Sequence, residues 1–211
     1  MKRLLLILSF VFFATHLSAQ NGFSKLEGQQ LSDFQKNLME SSEKINTLAC
    51  SFVQTQNLSL LAEEIRSTGT MTYKNPNLLN WSYTSPSSFV FLVNGNNITT
   101  KTDQSKTTID SGSSPMMQEL CKIMVAGLKG DTKSLEGSFN TKYLTNGKQV
   151  NIEMSPKNKA ISKLFKQITV TFNAKSYLVE TITLTEASGD NTVINIKDVK
   201  LNAPVDESIF N

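Results

Sequence analysis

The chain has 211 residues, with 21 basic and 18 acidic side chains and a formal net charge of +3. A balance so close to neutral argues against nucleic acid as a partner, because binding to phosphates needs a concentrated basic surface. The only histidine is His16, and Arg66 is the only arginine after Arg3. A mature chain without His16 has no Ser-His-Asp or Cys-His triad and lacks the commonest metal ligand. With Arg66 as its only arginine, it also has no cluster of arginines that could bind phosphate.

The first 19 residues have the layout of a secretory signal peptide. Lys2 and Arg3 precede an apolar run from Leu4 to Phe13, and Leu17-Ser18-Ala19 is a small-residue cleavage site before Gln20. The apolar run is shorter than the roughly 20 residues that cross a bilayer. We therefore expect a signal peptide over residues 1–19 and one secreted mature domain over residues 20–211. No cysteine follows the cleavage site, so lipidation there is not expected.

Two cysteines, Cys50 and Cys121, remain in the mature chain. An oxidising compartment permits a disulfide, whereas the apolar neighbours of each cysteine are typical of buried free thiols. Both states stay open from the sequence. Two cysteines without histidine are too few for a zinc site, and we expect no metal and no cofactor.

The pattern after a polar lead-in is first helical and then alternating. Leu31, Phe34, Leu38, Ile45 and Leu48 fall near one face, which predicts an amphipathic helix of about four turns. From residue 51 the period is two, with strand segments that are separated by prolines and by the hairpin signal Asn94-Gly95. Residues 88–93 are apolar on both faces, which is typical of a central strand, and the Thr-rich segments 98–101 and 107–110 resemble edge strands.

A second helix interrupts the strands. Ser114-Pro115 is a typical helix start, an apolar stripe runs from Met117 to Leu128, and Gly130 is placed to end the helix. Strands resume from Phe139, with a turn signal at Asn146-Gly147, and a bulge is expected near Val199. About ten short strands with two helices and no strand–helix–strand alternation favour a mainly β fold. We expect a strongly curved antiparallel sheet with two helices covering its concave side.

The apolar faces of the strands and helices allow two interpretations. Tightly packed helices give an ordinary core, and helices that act as lids leave a cavity. The methionines of the middle helix, including Met116, Met117 and Met124, adapt to variable apolar partners. A methionine stripe is nevertheless most often core, so composition alone leaves the question open.

An enzyme that uses only carboxylates is an alternative, since glycosidases need two carboxyl groups. Glu63-Glu64 is the only adjacent acidic pair, and neighbouring strand residues point to opposite faces. No pattern positions a catalytic pair, so we expect no catalytic residues and no enzymatic activity.

A recognisable pattern runs through residues 49–95: Phe52-Val53-Gln54, then Gly69 to Tyr73, then Pro76-Asn77-Leu78-Leu79-Asn80-Trp81, and finally Val93-Asn94-Gly95. This pattern resembles the outer-membrane lipoprotein carrier family, LolA-like. The resemblance extends through the middle helix and weakly to Val205-Asp206 and Phe210, so it covers nearly the whole mature chain. The Pro-Asn-Leu-Leu-Asn-Trp stretch is its most specific part.

The resemblance implies an incomplete antiparallel β-barrel with a helical lid over a cavity for acyl chains. It further implies a periplasmic carrier that takes lipoproteins from an inner-membrane ABC transporter and delivers them to an outer-membrane acceptor, and we expect it to be a monomer. With inward orientation taken from the alternation, the expected cavity residues are Leu31, Phe34, Leu38, Met71, Tyr73, Leu79, Trp81, Tyr83, Phe89, Phe91, Met117, Leu120 and Met124.

One position departs from the family pattern. Better-known members carry an arginine just before the Pro-Asn pair, where it latches the lid by bonding to helix backbone, and this chain has Asn75 there. Lys74 precedes it but lacks the planar guanidinium fork. A weaker latch favours a more open cavity or a different cargo.

Two further alternatives are a carrier of another lipid or of a hydrophobic biosynthetic intermediate, and a structural adaptor that binds a partner protein through an exposed apolar patch. The identity of the cargo distinguishes a carrier of another lipid or intermediate from a lipoprotein carrier. A cavity that is filled with side chains favours the structural adaptor.

Overall fold

The structure is a computed structural model that describes residues 22–59, 63–113, 123–127, 131 and 133–211. The expected signal peptide lies outside these residues. The helices are α1, Gly28–Glu43, the helical residues 123–127, here called α2, and α3, Lys159–Ser162. The strands are β1 Ser24–Lys25, β2 Thr47–Asn57, β3 Ile65–Lys74, β4 Leu78–Ser85, β5 Phe89–Asn94, β6 Asn97–Thr102, β7 Lys106–Asp110, β8 Phe139–Thr145, β9 Gln149–Pro156, β10 Phe165–Asn173, β11 Val179–Glu186 and β12 Asn191–Leu201.

All twelve described strands form one antiparallel sheet that does not close into a barrel. The strand order is β1-β8-β9-β10-β11-β12-β2-β3-β4-β5-β6-β7, so β1 and β7 are its edges. The chain thus builds two meanders, β2 to β7 and β8 to β12, which join where β12 pairs with β2. The predicted fold class, a curved antiparallel sheet with covering helices, is confirmed.

The alternating sequence pattern determines which face of each strand is covered. Buried and partly buried residues alternate along β2, β9 and β10. The predicted turns lie where expected, since Gly95 and Gly147 adopt positive φ angles of 60° and 82°. The expected bulge in β12 lies between Lys197 and Lys200, where Asp198 has a φ of 54°.

The order of strands distinguishes central from edge positions. β5 lies between β4 and β6, as its two apolar faces predicted, and β7 is exposed along its whole length. β6 is not an edge strand, because β7 pairs with it and Ile98 is buried. Neither the two-residue strand β1 nor the short helix α3, whose Ile161 is buried, was predicted from the sequence.

Helix α1 has the predicted length but ends earlier than the apolar stripe indicated. It covers 16 residues, and Ile45 lies beyond its end while Leu48 is already in β2. Phe34 packs against Phe172 with ring centroids 6.5 Å apart and against Tyr177 at 5.8 Å. Helix α1 therefore covers the β9–β10 side of the sheet.

The described core consists of two hydrophobic clusters on the covered face of the sheet. The first joins α1 to strands β8–β10, and the second joins β2, β3 and β4. Residues of α2 contribute to both, since Ile123 and Ala126 belong to the first cluster and Met124 and Val125 pack against the second. The rest of the predicted middle helix, residues 114–122 and 128–130, lies outside the described residues. No helix in the described part of the chain is long and apolar enough to cross a membrane.

Cys50 is a buried free thiol in β2, and Cys121 lies outside the described residues. Burial raises the pKa of Cys50 from 9.0 to about 12. Because the thiolate is the reactive form, we expect Cys50 in a Cys121→Ser variant to react with iodoacetamide only slowly at pH 8. Its rate should rise about tenfold per pH unit toward pH 12 and jump on unfolding in urea. Rapid native labelling at pH 8, measured by mass spectrometry, would show that the thiol is accessible.

Candidate functional site

A cavity of about 310 Å³ lies between α2 and the covered face of the sheet. It is surrounded by β2, β4 and β5 on one side and by β10, β11 and β12 on the other. The two meanders meet at the β12–β2 pair, so the cavity lies across the junction of the two halves of the sheet. None of the described side chains that line it is charged.

The first meander contributes aromatic side chains to the wall. Trp81 pairs with Phe91 and Tyr83 with Phe89 across β4 and β5, so all four project from the same face. Phe52 lies on β2, which β3 separates from β4, and its ring packs against two of these rings. Its centroid is 4.8 Å from that of Trp81 and 5.2 Å from that of Tyr83. This part of the wall is lined by Gln54, Trp81, Tyr83, Phe89 and Phe91.

The second meander contributes mainly aliphatic side chains. Ile168 pairs with Leu184 and Val170 with Ile182 across β10 and β11, and Ile182 in turn pairs with Ile194 of β12. Phe165, at the start of β10, completes this side. Because β-branched side chains are stiff at χ1, this wall has a well-defined shape.

Helix α2 covers the cavity with Ile123, Met124 and Gly127. Gly127 leaves a gap, because a Cβ atom at this position would touch only Cγ2 of Val170, at 3.9 Å. A larger residue here would extend into the space between helix and sheet. The absence of a side chain at Gly127 therefore contributes directly to the volume of the cavity.

Polar atoms are few in the wall and lie close together. The Tyr83 hydroxyl donates a hydrogen bond to Oε1 of Gln54 over 2.8 Å. Nε1 of Trp81 is buried and makes no hydrogen bond within the described residues. Burial raises the pKa of Tyr83, and the nearby indole N–H of Trp81 partly opposes that shift. Tyr83 is therefore a neutral donor at physiological pH.

The thirteen predicted cavity residues occupy three kinds of position. Trp81, Tyr83, Phe89, Phe91 and Met124 line the cavity. Six belong to the packed clusters instead: Met71, Tyr73 and Leu79 are fully buried in the second, while Phe34 and Leu38 lie in the first with Leu31 packed against it. Met117 and Leu120 lie outside the described residues. The role of the set in ligand binding stays a prediction.

Sequence reasoning did not assign nine lining residues to the cavity. Ile168, Val170, Ile182, Leu184 and Ile194 belong to segments that alternate in the sequence, but alternation does not show which positions face a space and which face side chains. Phe165, Ile123 and Gln54 lacked a clear signal. Gly127 is a glycine within an apolar helical stripe. Such a glycine often has a packing or functional role, and it was not assigned to the cavity from the sequence.

The position that departs from the carrier pattern, Asn75, lies in the turn between β3 and β4. The Tyr73 hydroxyl donates to Asn75 Oδ1 over 3.2 Å and to the carbonyl of Pro76 over 3.0 Å. The neighbouring Lys74 forms an ion pair with Glu207 in the C-terminal segment. The backbone N–H of Asn75 also donates to the carbonyl of Asn46, which lies between α1 and β2, over 2.8 Å.

A second groove, on the opposite face of the sheet, has a different character. Small and polar side chains of β2, β3 and β4 line it together with Asp198 and Lys200 of β12, and its volume is about 510 Å³. The Ser51 hydroxyl bonds to Asp198 over 2.5 Å. Within the described residues no group of three potential metal ligands comes together in this groove or elsewhere.

Comparison with known proteins gave one family match and several similar structures. The model of the family described as outer membrane lipoprotein carrier protein LolA matches residues 43–211. No curated protein sequence matches the chain.

Three similar solved structures come from different bacteria. A LolA superfamily protein from Nitrosomonas europaea is 12% identical, with 84% of this chain and 97% of that chain covered and a TM-score of 0.46. The lipoprotein LppX from Mycobacterium tuberculosis is 15% identical, with 83% and 97% covered and a TM-score of 0.48. A putative outer membrane lipoprotein-sorting protein domain from Vibrio parahaemolyticus is 11% identical, with 85% and 95% covered and a TM-score of 0.47.

Proposed function

Since the chain belongs to the outer membrane lipoprotein carrier family, LolA, we propose that it is a periplasmic carrier of lipoproteins. It binds their acyl chains in the cavity under α2 and shuttles them from the inner to the outer membrane. The signal peptide over residues 1–19 and the single carrier domain over residues 20–211 are parts of this proposal.

The observation that carries the proposal is the apolar cavity itself. Among the described residues that line it, Gln54 is the only one outside the apolar and aromatic classes apart from Gly127. A volume of about 310 Å³ is within the range of about 300–1,000 Å³ that is usual for ligand pockets. Transfer of hydrocarbon from water into an apolar space of this size is favourable by about 0.8 kcal/mol per buried methylene group.

Carriage by such a cavity needs binding of intermediate strength rather than a catalyst. The cavity must hold the chains more strongly than water does, and less strongly than a membrane does. Loading then requires an energy source, which an inner-membrane ABC transporter supplies, and unloading to an outer-membrane acceptor runs downhill. Both partners belong to the proposal, as does function as a monomer.

Enzymatic activity is not part of the proposal. Members of this family are carriers and binding proteins, and no carboxylate is found among the described residues around the cavity. The adjacent pair Glu63 and Glu64 is exposed, away from that wall.

The proposal predicts a one-to-one complex between residues 20–211 and a triacylated lipopeptide. Native mass spectrometry would detect it, with the same peptide lacking acyl chains and a common phospholipid as controls. Binding of the acylated peptide alone supports lipoprotein carriage. Equal binding of the deacylated peptide would contradict the role of the cavity.

A second candidate is a carrier of a lipid with a single acyl chain or of another hydrophobic intermediate. The cavity volume favours it, because about 310 Å³ is at the small end of ligand pockets and three acyl chains need more space. Phospholipid or single-chain ligands binding more tightly than the triacylated peptide would select this function.

A further inference from the structure

Three polar side chains interrupt the apolar wall of the cavity at one place. Gln54 of β2 is 7% exposed and Trp81 of β4 is 5% exposed, and Tyr83 bonds to Gln54. Buried polar groups without partners are unfavourable, and proteins rarely keep them without a reason. Nε1 of Trp81 is such a group among the described residues, and its place in the cavity wall points to a ligand atom that completes its bonding.

The cluster has more donors than acceptors. The Gln54 amide group has two N–H bonds, and its carbonyl oxygen already accepts the Tyr83 proton. The Gln54 side chain is bonded among the described residues through its oxygen, which leaves its amide nitrogen available. The indole N–H of Trp81 is buried without a hydrogen bond to them, although it lies near enough to the Tyr83 hydroxyl to oppose the rise of its pKa. The groups left for a ligand are thus N–H donors, which match an oxygen acceptor.

The neighbours of the cluster fix its geometry. The Phe52 ring contacts both Trp81 and Tyr83, and Phe89 packs on Tyr83 with centroids 6.0 Å apart. Gly69 gives the Phe52 ring its space, since a Cβ there would lie 2.5 Å from Phe52 Cζ. Donors held by packed rings are already positioned before a ligand arrives.

The charge of the surroundings decides which acceptor fits. A carboxylate would be buried here without a counter-charge, because no Lys or Arg lines the described cavity. Burial also keeps Tyr83 protonated, since it raises the pKa of its hydroxyl. A neutral carbonyl oxygen needs no counter-charge and accepts two N–H donors.

We propose that Gln54 and Trp81, with Gln54 oriented by Tyr83, bind the ester or amide carbonyl oxygen at the head of an acyl chain whose hydrocarbon fills the rest of the cavity. This inference rests on the proposed function and adds a polar recognition group to it. The cavity would then distinguish acylated molecules from plain hydrocarbon.

The test compares methyl laurate, tridecane and lauric acid as competitors of the apolar dye N-phenyl-1-naphthylamine bound to residues 20–211. We expect the ester to bind about tenfold more tightly than the alkane, as one well-made buried hydrogen bond allows. Lauric acid at pH 8 should bind more weakly than the ester. Equal binding of ester and alkane, or tighter binding of the acid, would overturn the inference.

Variants assign the preference to the cluster. Gln54→Leu should reduce the ester preference to about one while alkane binding is kept, which also shows that the variant is folded. The control Gln56→Leu, two residues further along the same strand and outside the cavity wall, should keep the preference, and Trp81→Phe should reduce it in part. A preference that persists in Gln54→Leu would contradict the assignment. Failure of all three ligands to compete would remove the proposed function together with this inference.

Discussion

Replacing Gly127 with phenylalanine is expected to lower the affinity for acylated ligands by about a hundredfold or more. The new side chain would extend from α2 toward Val170 and occupy space that the ligand needs. Exclusion of about four methylene groups alone costs about 3 kcal/mol, at about 0.8 kcal/mol each. Isothermal titration calorimetry with a triacylated lipopeptide measures the loss.

Gly127→Ala is the matched control. Its Cβ would lie 3.9 Å from Val170 Cγ2, an ordinary contact, and alanine favours a helix by about 1 kcal/mol over glycine. Binding should then stay within about threefold of the unchanged protein, with equal or higher thermal stability. If the Gly127→Phe variant remains folded, as seen by circular dichroism, and still binds ligand normally, the ligand does not occupy this cavity.

Replacing Gly69 with alanine is expected to destabilise the fold by about 3 kcal/mol, the upper part of the usual range for overpacking. A Cβ at this position would lie 2.1 Å from the carbonyl oxygen of Ser82 and 2.5 Å from Phe52 Cζ. One of these contacts is to backbone, so relief requires movement of β4 relative to β3. The shift would also displace the Phe52 ring and with it Trp81 and Tyr83.

Urea unfolding monitored by circular dichroism tests this expectation. Gly137→Ala is the control, because a Cβ there would meet nothing within 4 Å and Gly137 has no positive φ. It should change the free energy of unfolding by no more than about 0.5 kcal/mol. Equal stability of the two variants would contradict the close approach of β3, β4 and Phe52.

The antiparallel sheet was predictable because alternation and turn residues are local signals. Asn94-Gly95 and Asn146-Gly147 determined two hairpins, and the bulge near Val199 followed from a break in the alternation. The end of α1 was not predictable from periodicity, since Ile45 and Leu48 continue the helical stripe although the chain is already entering β2. Their burial in the second cluster outweighs the local helical pattern.

The cavity was harder to predict than the sheet. Met71, Tyr73 and Leu79 alternate just as Trp81 and Tyr83 do, yet the first three face packed side chains and the last two face a space. The difference depends on which part of each strand faces the space under α2 and which part packs into the second cluster, and this depends on tertiary structure. Aliphatic residues of β10 and β11 were missed for the same reason.

An acyl chain that enters the cavity is expected to lie beside Trp81, the only tryptophan of the chain. Its fluorescence tests this directly when residues 20–211 bind a lipopeptide whose acyl chains carry bromine atoms, which quench tryptophan on contact. We predict strong quenching with the brominated peptide, none with the unbrominated one, and none in Gly127→Phe. Binding of the brominated lipopeptide without any quenching of Trp81 would place the acyl chains elsewhere on the protein and contradict the account.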